Sequence, residues 1–235
     1  MYNHRKPFFP GEERRNGKRG TCEEDPVRGP KGSKLRDPKI LFKVAALNGL
    51  EMELDKLARR IHLKRFSEMM KGRKVHITVN LGPFTPMMMD QVDEDIRSFG
   101  IPPGLVIWEV SERTYVDDFT AFTRVISFLT SRGYKVAVDD FGAGATSLKL
   151  AYSIDAEVIK VDMDLVKGVD ENYSKRRLLA GIIESFGRSK IVIEGVEKIS
   201  ELKVLADLGY EYYQGFLFSK PTPEIPVNVR FPELS

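Results

Sequence analysis

Apolar and polar positions follow a regular pattern only from Pro38 onward. Runs of β-branched residues with alternating polarity predict strands, and runs with apolar residues three or four apart predict helices. The predicted strands are 75–81, 104–112, 134–142, 156–163, 190–197 and, with the loop after it, 210–221. The predicted helices are one or two within 40–70, then 87–99, 116–131, 146–153, 175–187 and 199–208.

This strict alternation predicts an α/β protein with a parallel sheet, either a closed barrel or an open doubly wound sheet. The first predicted strand lacks a Gly-rich loop that opens a helix, which disfavours a dinucleotide-binding fold. Residues 1–36 are rich in Pro, Gly and charge and show no clear period. We expect them to hold loops and the first barrel strands, and residues 37–235 to form the barrel of a single domain.

Every predicted strand has, at its carboxyl end where the loop begins, a polar side chain that can bind a cation or a phosphate. These side chains are Asn80, Glu109 with Glu112, Asp139 with Asp140, Lys160 with Asp162, Glu194 with Glu197, and Gln214. One such residue alone usually just meets solvent. In a barrel, however, the carboxyl ends of the strands meet at one rim, where active sites lie. We therefore expect these side chains to share one pocket.

A ring of carboxylates and amides is repulsive unless cations fill it. Hard divalent cations prefer oxygen ligands, so Mg²⁺ or Mn²⁺ fits this ring. Two such ions can bind a phosphodiester and activate a water for in-line attack, and the adjacent aspartates suit a position between two ions. Lys160 would hold the water or stabilise developing charge. Enolase-like and aldolase-like barrels also use carboxylates and a lysine, so the rim alone leaves the substrate open.

Composition and charge exclude several other classes of protein. The formal net charge is only +3, so the chain lacks the strong positive charge that is typical of nucleic-acid-binding domains. Three histidines and the single Cys22 exclude a zinc cluster of the usual spacing and any internal disulfide. No apolar run approaches the ~20 residues of a membrane span, and the N-terminus does not resemble a signal peptide. A cytoplasmic protein without a membrane span is expected.

Several motifs, in order along the chain, resemble one family. They are VNLGP (79–83), WEVSE (108–112), DDFGAGATSLKL (139–150), IKVD (159–162), EGVE (194–197) and QGFLFSKP (214–221). Their order and spacing resemble those of the EAL-domain cyclic-di-GMP phosphodiesterases. The resemblance implies a modified TIM (β/α)8 barrel and a bacterial signalling enzyme. The implied reaction is hydrolysis of cyclic-di-GMP to linear pGpG with two Mg²⁺ or Mn²⁺ ions.

The resemblance also implies a role for each residue of the motifs. The implied metal ligands are Glu24, Asn80, Glu109, Asp139, Asp140 and Glu194. Lys160 is implied to orient the attacking water, Glu194 to act as base, and Arg28 and Gln214 to contact the substrate. Glu112, Asp162 and Glu197 are implied to support these groups. The loop 141–144 is implied to couple metal binding to homodimerisation.

The motif that names the family is altered in this chain. In place of Glu-Ala-Leu, the segment before Arg28 contains Glu24-Asp25-Pro26-Val27. The glutamate is kept, although Pro26 removes a backbone donor and would suit only the end of a buried strand. Glu24 and Arg28 could instead be solvated residues of a surface arm. A binding module, either a receptor for cyclic-di-GMP or a protein-binding barrel with little turnover, is therefore the alternative hypothesis.

Overall fold

A computed structural model describes residues 9–10, 21–22, 29–70, 76–81, 86–111, 119–144, 146–154, 156–187 and 191–218. The described strands are β1 (Phe9–Pro10), β2 (Thr21–Cys22), β3 (His76–Asn80), β4 (Val106–Val110), β5 (Lys135–Phe141), β6 (Val158–Val161), β7 (Ile191–Ile193) and β8 (Tyr212–Tyr213). The described α-helices are α1 (Pro38–Leu47), α2 (Glu51–Met70), α3 (Pro86–Ser98), α4 (Phe119–Ser131), α5 (Thr146–Ser153), α6 (Met163–Val166), α7 (Tyr173–Phe186) and α8 (Ile199–Asp207).

The strand order decides between the two predicted architectures. From β2 to β8 each strand pairs in parallel with the next strand in sequence, and β1 lies beyond β8. A doubly wound sheet would reverse its order at a switch point, whereas this sheet winds in one direction as a (β/α) barrel does. β1 runs antiparallel to β8, which is the modification of the barrel.

The predicted elements recur with shifts of a few residues. The segment predicted as one or two helices forms two, because Gly49 has a φ of 68° and turns the chain between α1 and α2. The short helix α6 was not predicted. It begins where the carboxylate of Asp162 accepts a hydrogen bond from the backbone N–H of Asp164 at 2.7 Å. None of the described helices combines the length and apolar character needed to cross a membrane.

The hydrophobic core of the described residues lies between the sheet and the helices. Trp108 on β4 is fully buried there, and its ring meets Tyr134 edge-on with centroids 6.1 Å apart. Trp108 precedes Glu109, so strand alternation puts the two side chains on opposite faces of the sheet.

An ionic network around the buried Asp93 holds the amino-terminal end of β5 against α3. The carboxylate of Asp93 accepts hydrogen bonds from the Tyr134 hydroxyl at 2.6 Å, from Arg97 Nε at 2.9 Å and from Arg132 at 3.1 Å. Burial alone would raise the pKa of Asp93, but these hydrogen bonds and the charges of Arg97 and Arg132 outweigh it and lower the pKa. The network therefore anchors the strand whose other end carries Asp139 and Asp140.

Candidate active site

The pairing register places the polar strand-end residues on one face of the sheet. Asn80 pairs with Glu109, and Glu109 pairs with Ala137 on β5. Asp139 follows Ala137 by two residues, so it lies on the same face, because side chains alternate along a strand. The same reasoning extends across the remaining strands, where Ala137 pairs with Val158, Lys160 with Val192, and Val192 with Tyr212. They put Lys160, Glu194 and Gln214 on this face as well.

The opposite face of the same strands is apolar and packs on the helices. Its members include Val79, Trp108, Val136, Val138, Ile159, Val161, Ile191, Ile193 and Tyr213, all buried in the hydrophobic core. The polar face is therefore the barrel interior. Its polar residues stand at the carboxyl ends of the strands, where barrel enzymes have their active sites.

A β-bulge in β5 turns two adjacent aspartates toward one place. Val138 pairs with Ile159 and Phe141 pairs with Val161, so Asp139 and Asp140 together lie opposite Lys160. Asp140 has a φ of 52°, in the left-handed region that side chains other than glycine rarely adopt. Without the bulge, adjacent side chains would point to opposite faces. With it, carboxylate oxygens of Asp139, Asp140 and Glu194 all lie within 4.8 Å of one another.

Lys160 lies at the centre of this cluster as a buried cation. Its Nζ is 2.6 Å from Glu194 Oε1, 2.7 Å from Glu109 Oε1 and 3.3 Å from Asp139 Oδ1. Lys160, Glu109 and Asp139 are each no more than 2% exposed. One ammonium cannot balance all the surrounding carboxylates, so the cluster has an excess of negative charge at the barrel rim.

Asp162 extends the cluster toward α6. Burial raises the pKa of the Asp162 carboxyl, and the charges of Asp164 and Asp139 add to this rise. Hydrogen bonds with the Asp164 backbone and with Asp140 act in the opposite direction. Asp162 thus links Asp140 to the start of α6 rather than standing at the centre of the site.

The other predicted residues differ in how the structure places them. Asn80 is half-buried at the end of β3, and Gln214 is buried after β8, where its backbone N–H donates to the Ile193 carbonyl at 2.8 Å. The side chain of Glu197 is exposed, outside the carboxylate cluster. The predicted residues that fall outside the described parts of the chain are Glu24, Arg28 and Glu112.

Two residues that hold the rim loops escaped the sequence analysis. The Ser147 hydroxyl accepts from the Gly142 N–H at 3.1 Å and donates to the Gly144 carbonyl at 3.0 Å, which closes the loop after Asp140. Glu201 is buried and accepts hydrogen bonds from the backbone N–H groups of Gly168, Glu197 and Lys198. An acid three residues into a helix is a capping signal, and this could have drawn attention to Glu201.

Comparison with known proteins identifies the family of this chain. The model of the family described as EAL domain matches residues 27–221, most of the chain. The chain belongs to the EAL domain family. The match covers the barrel from the segment before α1 to the loop after β8, and so includes every strand that contributes to the carboxylate cluster.

Curated relatives of this EAL chain are longer proteins. Cyclic di-GMP phosphodiesterase PdeA of Borreliella burgdorferi is 25% identical over 189 residues, which are 78% of this chain and 28% of PdeA. The uncharacterized protein Rv1354c of Mycobacterium tuberculosis is 30% identical over 209 residues, 85% of this chain and 33% of that protein. The chain spans about a fifth to a third of the length of the relatives it matches.

Solved structures of EAL proteins share the fold. The PaMucR phosphodiesterase in complex with c-di-GMP has a TM-score of 0.78 and 25% identity, covering 94% of this chain and 91% of that one. Klebsiella pneumoniae BlrP1, solved with manganese and cyclic-di-GMP, has a TM-score of 0.79 and 27% identity over 94% of this chain and 56% of that one. The prediction of a modified TIM (β/α)8 barrel is confirmed.

Proposed function

We propose that this EAL protein hydrolyses cyclic-di-GMP to linear pGpG with the help of divalent metal ions. The observation that carries the proposal is the convergence of Asp139, Asp140 and Glu194 at the barrel rim, where the Lys160 ammonium contacts Asp139 and Glu194. The named activity of PdeA and the c-di-GMP bound to the PaMucR structure support the choice of substrate.

The residues of the cluster fit a divalent ion. All the donors are carboxylate oxygens, which Mg²⁺ and Mn²⁺ prefer, and their spacing within 4.8 Å allows one ion to contact several. A carboxylate offers two oxygens, so contact of one oxygen with Lys160 is compatible with metal ligation by the other. Glu109, Asp139, Asp140 and Glu194 would hold one or two ions, and the family resemblance adds Asn80 and Glu24.

When bound, such ions would neutralise the phosphodiester and lower the pKa of a coordinated water. The Lys160 Nζ, which lies 2.6 Å from Glu194 Oε1, would donate a hydrogen bond to the attacking water or to a phosphoryl oxygen. Glu194 would accept the proton of that water. The water oxygen then forms a bond to phosphorus, the bond from phosphorus to one ribose 3′ oxygen breaks, and that oxygen takes up a proton.

The test is to incubate the protein with cyclic-di-GMP and Mg²⁺ or Mn²⁺ and to follow pGpG by chromatography. We expect product that depends on the metal, disappears with a chelator and is lost in Asp139→Asn. The matched control is Glu157→Gln, which alters an exposed acid that pairs with Lys135 at the other end of the barrel. Product that survives Asp139→Asn would contradict the metal mechanism.

A second candidate function is binding without efficient turnover. The altered segment Glu24-Asp25-Pro26-Val27 favours it, because a Glu24 displaced from the rim by its changed neighbours would weaken one metal site, and catalysis would then suffer more than binding. Retained binding of cyclic-di-GMP with no pGpG would establish this candidate. Glu24→Ala then tests the alignment, since an unchanged rate or affinity would mean that Glu24 is not a ligand.

The proposal includes a homodimer in the cytoplasm. The loop 141–144 follows Asp140 directly, so occupancy of the cluster could reach a subunit contact through it. The single cysteine fits a reducing compartment. Measurement of the molar mass by light scattering, with and without Mn²⁺, tests the dimer.

A further inference from the structure

We infer that Glu201 is a positioning residue for the metal site, a role that rests on the proposed function. Glu201 lies on α8 and is 1% exposed, although it is an acid. Both of its oxygens accept backbone hydrogen bonds, but from two different loops. Oε2 accepts from the N–H groups of Glu197 and Lys198 at 3.1 Å each, and Oε1 accepts from Gly168 N–H at 3.0 Å.

The two loops that Glu201 joins follow the neighbouring strands β6 and β7, which carry Lys160 and Glu194 of the candidate site. Glu197 and Lys198 end the segment that leaves β7 through Glu194. Gly168 follows α6, the helix whose N-cap is Asp162, two residues after Lys160. A buried carboxylate that accepts three N–H groups is a strong clamp, because each of these hydrogen bonds involves a charge in a site of low dielectric.

Close packing between the same two loops also restricts the position of Glu194, so the hydrogen bonds of Glu201 bear on it. Gly195, with a φ of 73°, lies so near α6 that an added Cβ would stand 2.3 Å from the Cβ of Met163. The Glu194 N–H donates to the Val161 carbonyl at 3.1 Å, directly before Asp162. Glu194 therefore has little freedom to move independently of β6 and α6 while Glu201 holds the far ends of both loops.

Loss of this clamp should loosen the 2.6 Å contact between Glu194 and Lys160 and with it the geometry of the carboxylate cluster. Residues that orient metal ligands typically change metal affinity by about 10–100-fold when mutated. Glu201 touches none of the clustered carboxylates, so its effect on metal binding would pass through the backbone of the two loops.

The decisive measurement is the affinity for Mn²⁺, titrated by electron paramagnetic resonance without substrate. We expect Glu201→Ala to weaken Mn²⁺ binding about 10-fold or more. Glu201→Gln should give an intermediate value, because its amide keeps one acceptor oxygen but offers a donor to the second loop. Glu184→Gln, an exposed acid on α7, is the matched control and should bind Mn²⁺ like the wild type.

Thermal unfolding of each variant separates positioning from simple destabilisation. If Glu201→Ala does not fold, Glu201→Gln alone decides. A folded variant with wild-type Mn²⁺ affinity would overturn the inference. Because this readout needs no turnover, a wild-type protein that fails to make pGpG would contradict the proposed function while leaving the role of Glu201 testable.

Discussion

Replacing Lys160 by methionine tests whether this lysine balances the charge of the carboxylate cluster. Its Nζ contacts three carboxylates within 3.3 Å, and Lys160 and two of the acids are almost fully buried. Removing one partner of a buried ionic group leaves uncompensated charge and costs about 3–5 kcal/mol. For a chain of this length each kcal/mol lowers the melting temperature by about 2–4 °C, so we expect a drop of about 6–20 °C.

The assay is thermal unfolding in a chelator and then in Mn²⁺. A divalent ion would restore positive charge to the cluster, so Mn²⁺ should raise the melting temperature of Lys160→Met more than that of the wild type. Lys135→Met is the matched control, because Lys135 forms a partly exposed ion pair with Glu157 at 3.1 Å. Such a pair is worth less than about 1 kcal/mol. Equal melting temperatures of the two variants in the chelator would refute the reasoning.

Three further changes probe other parts of the molecule. Asp139→Asn should lower metal-dependent formation of pGpG by at least about 100-fold, measured by chromatography, since it alters a proposed ligand itself. Burial would raise the pKa of Asp93, but its hydrogen bonds and the neighbouring guanidinium groups outweigh burial and lower the pKa. The ionised Asp93 therefore stabilises the folded state at pH values above its unfolded pKa of about 3.9. That contribution is lost as pH falls through the folded pKa, so urea midpoints of Asp93→Asn and wild type should converge in acid. Gly215→Ala should lower the free energy of unfolding, measured in urea, by about 1–3 kcal/mol, because an added Cβ would stand 1.9 Å from the Val196 carbonyl oxygen. The control is Gly181→Ala on α7, where an added Cβ meets nothing within 4 Å and should not destabilise the fold.

Strand ends could be predicted from the sequence because they depend on local patterns. The alternation of apolar residues locates β4 to β6, and parallel strands in a barrel must bring their carboxyl ends together. The relation between Glu109 and Asp139 follows from those two rules alone. The short strands β1 and β2 lacked such a pattern, since two residues are too few to show a period.

From the sequence we expect Asp139 and Asp140 to share one pocket, but strand alternation alone gives no reason for these two neighbours to meet. In a regular strand these neighbours would point to opposite faces, and the bulge against β6 is what brings carboxylate oxygens of both within 4.8 Å of each other and of Glu194. At the bulge, Phe141 pairs with Val161 and its carbonyl accepts from the Asp162 N–H at 3.1 Å, and both partners are distant from β5 in sequence. The clamp by Glu201 escaped for a similar reason, because one of its two loops lies more than thirty residues earlier in the chain.

The charge of the cluster determines which experiments can distinguish an enzyme from a receptor. Cyclic-di-GMP carries two negative phosphodiesters, and the described rim around Lys160 is itself rich in carboxylates. An anionic ligand can approach this rim only if cations lie between the two, whether or not the ligand is then cleaved. Dependence of binding on Mg²⁺ or Mn²⁺ is therefore expected under both hypotheses. Only the appearance of pGpG, and its loss when Lys160 or Glu194 is changed in a folded protein, distinguishes catalysis from binding.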